Sequence, residues 1–156
     1  PPFAALLMIL LGCFATCAGS TGGGIKMVRM LLLVKQARRE LARIIHPRVV
    51  NPVTLGRGSV PPSVMTAVLG YMLIYGACTM GLVMLLLLSG MDLVTAFSAV
   101  VATLNNIGPG LGEVGPSGNF GGLTAFQTWV CTFAMLLGRL ELLTVLVLFT
   151  GHFWRK

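Results

Sequence analysis

Residues 103–112 read TLNNIGPGLG, and the apolar stretch MDLVTAFSAVVA runs directly into them. A helix from Asp92 to Asn105 rises only about 20 Å, whereas the hydrocarbon core of a bilayer is about 30 Å thick. The segment therefore reads as a re-entrant half-helix that stops near mid-membrane. Gly108, Pro109, Gly110 and Gly112 bar the helix from continuing, since glycine is conformationally loose and proline lacks the N–H. Irregular backbone at that depth is tolerated only where it is buried in protein or lines a watery cavity. Carbonyl oxygens held there, with the negative end of a half-helix aimed at them, are how a cation filter is made. A hydrophobic hairpin with an external glycine-rich loop is the plainer alternative.

Composition sets the class. Of 156 residues, 56% are hydrophobic and 10% charged, a profile of an integral membrane protein. Net charge is +7, but eight of the eleven basic residues fall between Lys26 and Arg57. A cluster beside apolar spans is topogenic, not a nucleic-acid footprint, and it assigns that side to the cytoplasm. The chain opens Pro-Pro-Phe straight into an apolar run, so it reads as the C-terminal piece of a longer protein. No basic region precedes that run, which argues against a signal peptide. Cys13, Cys17, Cys78 and Cys131 match no zinc spacing and read as packing residues.

Phe3 to Ala18 is apolar but, at 16 residues, short for a crossing. It ends in AGSTGGGIK, where Gly19, Ser20, Thr21, Gly22, Gly23 and Gly24 break the helix. Each internal glycine costs about 1 kcal/mol relative to alanine, so packing alone explains them poorly. They fit a flexible loop beneath a pore or a simple membrane-exit turn. Ile25 separates Gly24 from Lys26, which rules out a phosphate loop. A basic amphipathic helix follows over 25–46 and ends at His46-Pro47. A connector over 47–62, with four prolines and two glycines, completes a cytoplasmic segment.

A second span covers 63–90, with Gly70, Gly76 and Gly81 suggesting close helix contacts and Tyr71 and Tyr75 read as packing residues. Asp92 is placed to cap the half-helix over 92–105. A polar external loop occupies 111–122. One long helix over 123–154 exceeds the bilayer and must tilt, bend or project; Trp154 is an interfacial anchor and His152 is interfacial. Arg139 and Glu141 lie inside that span. Charges at such depth cost at least about 2.5 to 3.5 kcal/mol each, so they face a cavity or a partner. Two residues apart on a helix they diverge by about 200°. The expectation is Arg139 on the aqueous path and Glu141 against a neighbouring segment.

The motifs CAGSTGGGIK, RIIHP, LNNIGPGLGEVGP and MLLGRLE together resemble the Trk-type (TrkH) potassium uptake pore subunits, of a superfamily shared with Ktr. The resemblance covers nearly the whole chain. It implies an all-α membrane protein built from four repeats of helix, re-entrant pore helix, filter strand and helix. Residues 63–156 would be the fourth repeat, with its filter at 106–110. Residues 1–24 would be the second helix of the third repeat with its glycine-rich intramembrane loop. The tripeptide LLG at 10–12 and again at 136–138 is a faint trace of that equivalence. The filter would be Asn106, Ile107, Gly108, Pro109 and Gly110, with Gly108 the key glycine. Pro109 offers no backbone N–H, so looser coordination is expected on this part of the ring. Gly19, Ser20, Thr21, Gly22, Gly23 and Gly24 would form the gate loop, and Arg139 would be the pore arginine beside it. The resemblance further implies potassium as substrate and no cofactor. It also implies a homodimer in the bacterial inner membrane and a cytosolic ring of nucleotide-binding, TrkA-like regulatory subunits.

Two other classes compete. Residues 63–156 could make a homotetrameric two-helix channel. Four copies of Arg139 about one pore, at ~10 Å and an effective dielectric of ~20, would repel by ~1.7 kcal/mol per pair, on the order of 10 kcal/mol for six pairs. An intramembrane enzyme would need a nucleophile with a base and an orienting group, and the sequence offers no such set. A passive assembly module would have no use for charges or irregular strands at mid-depth.

Overall fold

The structure of the chain, a computed structural model, describes residues 2–14, 25–46, 52–56, 58–140 and 142–149. The expectations at Cys17, Gly19 to Gly24, Glu141, His152 and Trp154 lie outside these residues. Among the described residues, six α-helices carry the architecture: α1 (Pro2–Phe14), α2 (Met27–Ile45), α3 (Pro62–Leu88), α4 (Leu93–Leu104), α5 (Ala125–Arg139) and α6 (Leu142–Leu148). A small antiparallel pair, β1 (Thr54–Leu55) and β2 (Gly58–Ser59), joins α2 to α3 with Thr54 opposite Ser59.

Proline at the first position starts α3, where its missing N–H costs nothing. Its 27 residues span about 40 Å. It is the one single helix among the described residues long and apolar enough to cross a membrane. Gly70, Gly76 and Gly81 do not mediate close contacts within the chain: nothing described lies within 4 Å of a side chain built at any of them. The outer face of α3, with Leu73 and Leu88 exposed, is open to lipid or to further protein.

The expected single helix over 123–154 is two helices. The first ends at Arg139, the second starts at Leu142, and the pair is bent between them. Gly138, the weakest helix former in the segment, is the next-to-last residue of the first helix. At its other end α5 carries a full capping box: the Thr124 hydroxyl accepts from the Gln127 N–H and the Gln127 side chain accepts from the Thr124 N–H.

The core is built around α4, which lies between α3 and α5 with nine of its twelve side chains buried. Burial of apolar surface drives little in lipid, where tails are as apolar as leucine. Close van der Waals packing of small residues does the work instead. Ala96, Ala99 and Ala134 are fully buried and let the helix axes approach. Thr103 is also buried and satisfies its hydroxyl on the Ala99 carbonyl at 2.7 Å.

A second cluster, Leu32, Val53, Met65 and Val68, packs the first turns of α2 against the first turns of α3. The far end of α2 projects beyond it, with Leu41, Ile44 and Ile45 exposed. Its Glu40–Arg43 pair, 3.6 Å apart and half-exposed, adds little stability.

Candidate functional site

The half-helix begins where the sequence places it. Asp92 is the N-cap and its carboxylate accepts from the Val94 N–H at 3.1 Å. Its end has a different cause from the one expected. The helix stops at Leu104, four residues before the first glycine, ahead of an αL turn at Asn106 (φ +53°), the one non-glycine residue of positive φ among those described. The Asn106 N–H donates to Thr103 O at 3.1 Å and the Ile107 N–H to Ala102 O at 2.9 Å. Those two bonds are a Schellman motif, and asparagine tolerates the left-handed conformation it demands.

From there the chain climbs back along α4. Leu111 N–H donates to the Ser98 hydroxyl oxygen at 2.8 Å, and Gly112 (φ +66°) packs onto the Thr95 side chain. The segment thus leaves on the side from which α4 entered. Gly110 N–H donates to Val114 O at 2.8 Å, and the buried Val114 closes the turn. The carbonyl oxygens of Asn106, Ile107, Gly108, Pro109 and Gly110 accept no hydrogen bond from any described residue. Two glycines here answer to different constraints. A side chain at Gly110 would lie 2.7 Å from Val114 Cγ2 and 3.3 Å from the Ser98 backbone, whereas Gly108 has open space but φ +116°.

Ser98 is the only side chain among those described that hydrogen-bonds the returning strand at Leu111, and it is itself 1% exposed. Ser98→Ala strands the Leu111 N–H, at about 1–3 kcal/mol. Thermal unfolding of the full-length protein in detergent should show the loss as a lower midpoint.

Two glycines from flanking helices hold the inner end of this strand. Gly12 of α1 packs on Ile107, whose Cδ1 would lie 2.7 Å from an added Cβ. Gly138 of α5 packs on the Leu104 carbonyl, with Asn106 Nδ2 3.0 Å from an added Cβ. These are the last residues of the two LLG tripeptides, so the repeated motif marks two helices that meet the same place.

Asn105 sits at the centre of that place, 4% exposed. Its Oδ1 accepts from the Tyr75 hydroxyl at 2.9 Å, and its Nδ2 donates to Val101 O at 2.8 Å and contacts Cys13 Sγ at 3.5 Å. The sequence alone does not single out Asn105, and Tyr75 reads from it as a packing residue. The available signal was a polar amide inside an apolar half-helix, which must find partners once buried. Beside it, Cys13 O accepts from the Ile25 N–H at 3.3 Å. Cys13 and Ile25, described residues on either side of the stretch containing Gly19 to Gly24, therefore meet near the inner end of the half-helix. A cavity of about 510 Å³ lies between Asn106 and the α5 face that carries Trp129, Phe133 and Arg139. The structure thus brings Arg139 to the same cavity as the first residue of the strand.

A half-helix and an irregular return segment that enter and leave on one side, held between longer helices, make a pore-loop unit of the kind found in membrane transport proteins. Comparison with known proteins assigns the family. The chain matches the family described as TrkH, cation transport protein, over residues 1–156, and it belongs to that family. It is 46% identical over 160 residues to the Trk system potassium uptake protein TrkH of Vibrio parahaemolyticus, covering 100% of this chain and 32% of the relative. It is 43% identical over 156 residues to the TrkH of Escherichia coli strain K12, again covering 100% of this chain and 32% of that protein. Its fold is similar to the crystal structure of the potassium transporter TrkH from Vibrio parahaemolyticus, with a TM-score of 0.84 and 47% identity over 99% of this chain and 33% of the other. The chain therefore spans about a third of the length of these relatives.

Proposed function

We propose that the full-length protein containing this chain takes up potassium across the bacterial inner membrane. Asn106, Ile107, Gly108, Pro109 and Gly110 supply one part of a carbonyl-lined filter. The observation that carries this reading is the run of carbonyls over 106–110 that accept no hydrogen bond from any described residue, set at the negative end of α4. The relatives' names support potassium as the cargo. The strand is rigidly seated, by Ser98 at one end and by Gly12 and Gly138 at the other. A cation can then exchange hydration water for fixed oxygens.

In this reading Arg139 faces the aqueous path and repels cations from below, tuning conduction. Gly19, Ser20, Thr21, Gly22, Gly23 and Gly24 form a movable plug beneath the filter, supported by the Cys13–Ile25 hydrogen bond that brackets the stretch. The protein transports and does not catalyse a covalent reaction. It works as a homodimer, with nucleotide-binding TrkA-like subunits docking on the face that carries residues 26–62 and the C-terminus. The threefold greater length of the relatives supports a pore made of unlike repeats in one chain over four copies of residues 63–156.

The test is potassium and sodium flux into liposomes that contain the full-length protein. Uptake that fails to prefer potassium would end the proposal. Deleting residues 19–24 should raise flux and weaken its dependence on the regulatory subunits, and unaltered flux would favour a simple exit turn.

A further inference from the structure

The polar and aromatic contacts around Asn105 extend in a direction that ion coordination alone does not require. The Tyr75 hydroxyl donates to Asn105 Oδ1 at 2.9 Å. One helical turn earlier on α3, Tyr71 stacks on Tyr75, with ring centroids 6.1 Å apart and planes inclined by 25°. The Arg29 guanidinium carbon lies 3.9 Å from the centroid of the Tyr71 ring. Arg29 stands in the first turn of α2, four residues after Ile25, whose N–H is bonded to Cys13 O. Cys13 in turn touches Asn105 through its sulfur. Two routes therefore run from the point where the glycine-rich stretch ends to Asn105, at the end of the half-helix. One is short, through the end of α1; the other passes through Arg29, Tyr71 and Tyr75.

Each link is specific. Tyr71 is 6% exposed and Asn105 4%, so their contacts lie away from bulk solvent, where cation–π attraction and hydrogen bonds are strongest. Asn105 has no freedom to drift, because its amide nitrogen is also tied to Val101 O. Its neighbour Asn106 holds the left-handed conformation that turns the chain into the strand. Asn105 is thus the side chain through which contacts from α1 and α3 reach the residue that precedes this turn.

We propose that Arg29, Tyr71, Tyr75 and Asn105 form a relay through which the position of α2, directly after the glycine-rich stretch, sets the geometry of the inner end of the strand at 106–110. These are positioning residues: none need touch the ion. The inference rests on the filter reading above and extends it, by making ion preference depend on a helix outside the filter's own repeat unit. When α2 is seated, Arg29 holds the tyrosine pair and Tyr75 holds Asn105. When α2 moves, the pair is released and the cap loosens.

The experiment is the potassium-to-sodium flux ratio of the full-length protein in liposomes, measured for Tyr75→Phe, Arg29→Gln, their combination, and Gly108→Ala as reference. Tyr71→Leu, which keeps apolar bulk but removes the ring, stands in should Arg29→Gln not yield folded protein. Tyr75→Phe removes one oxygen and keeps the ring. It should lower the ratio by about threefold to tenfold, the range that one buried hydrogen bond supports. Arg29→Gln should lower it in the same direction, and the double variant should be no worse than the poorer single one, because both cut a single path. A normal ratio in Tyr75→Phe beside a lowered ratio in Gly108→Ala overturns the relay and leaves the filter reading intact. Independent losses that multiply in the double variant also overturn it. A normal ratio in Gly108→Ala removes the filter reading and the relay together.

Discussion

Gly108→Ala should reduce the potassium-over-sodium preference of the full-length protein by about tenfold to a hundredfold. Gly108 holds φ +116°, and nothing lies within 4 Å of the Cβ that alanine would add. The substitution therefore does not collide with a neighbour; it makes the backbone itself unfavourable. An L-residue in a sparsely populated region of this kind is strained by about 1–3 kcal/mol. The strain is relieved by rotation of the peptide planes on either side. Those planes carry the Ile107 and Gly108 carbonyls, two of the oxygens that accept no hydrogen bond from the described residues and would answer to a cation. Each 1.4 kcal/mol of misplaced coordination changes a binding ratio about tenfold. A D-alanine placed at 108 by semisynthesis should retain most of the preference, since positive φ suits its handedness. If L-alanine and D-alanine behave alike, conformation at this residue is not what selects the ion.

Gly138→Ala should have the largest effect on stability. The added methyl would run into the Leu104 carbonyl oxygen and come within 2.8 Å of its carbon and 3.0 Å of Asn106 Nδ2. The obstacle is backbone at the end of a buried helix, so it cannot yield by rotating a side chain. Overpacking of this kind costs about 1–3 kcal/mol or more, and relief requires α5 to move off α4. The full-length protein in detergent should unfold several degrees lower, and little of it should assemble. Gly12→Ala is the matched control. It meets the tip of the Ile107 side chain at 2.7 Å, which can swing to another rotamer, so its stability loss should be clearly smaller. Equal losses in the two variants would mean that the α4–α5 approach at Gly138 is not the tighter constraint.

The two predictions separate roles that one glycine-rich motif conceals. Gly108 is needed for its torsion angle, Gly110 for space against Val114 and Ser98, and Gly138 for a backbone contact from another helix. All three look alike as letters. Asn105 and Asn106 are adjacent and identical, yet one is a buried hub and the other a helix cap. Arg139 is a similar case. The sequence placed a charge in an apolar span, and the fold put it on the cavity shared with Asn106.

The sequence by itself determined that α4 is too short to cross a bilayer, that Asp92 starts it, and that the α-helix does not continue into residues 106–110. These are local properties, encoded by hydropathy, by capping chemistry and by residues within a few positions of one another. Only the tertiary structure decided that Asn106 ends the helix, that the last long helix breaks after Arg139, that Ser98 holds the returning strand, and that Tyr75 and Cys13 converge on Asn105. Cys13 and Asn105 stand 92 positions apart, and no periodicity in a single chain reports which distant side chain will complete the hydrogen bonds of a buried amide. That choice follows from how closely the backbones approach, and the approach is set by packing at Gly12 and Gly138.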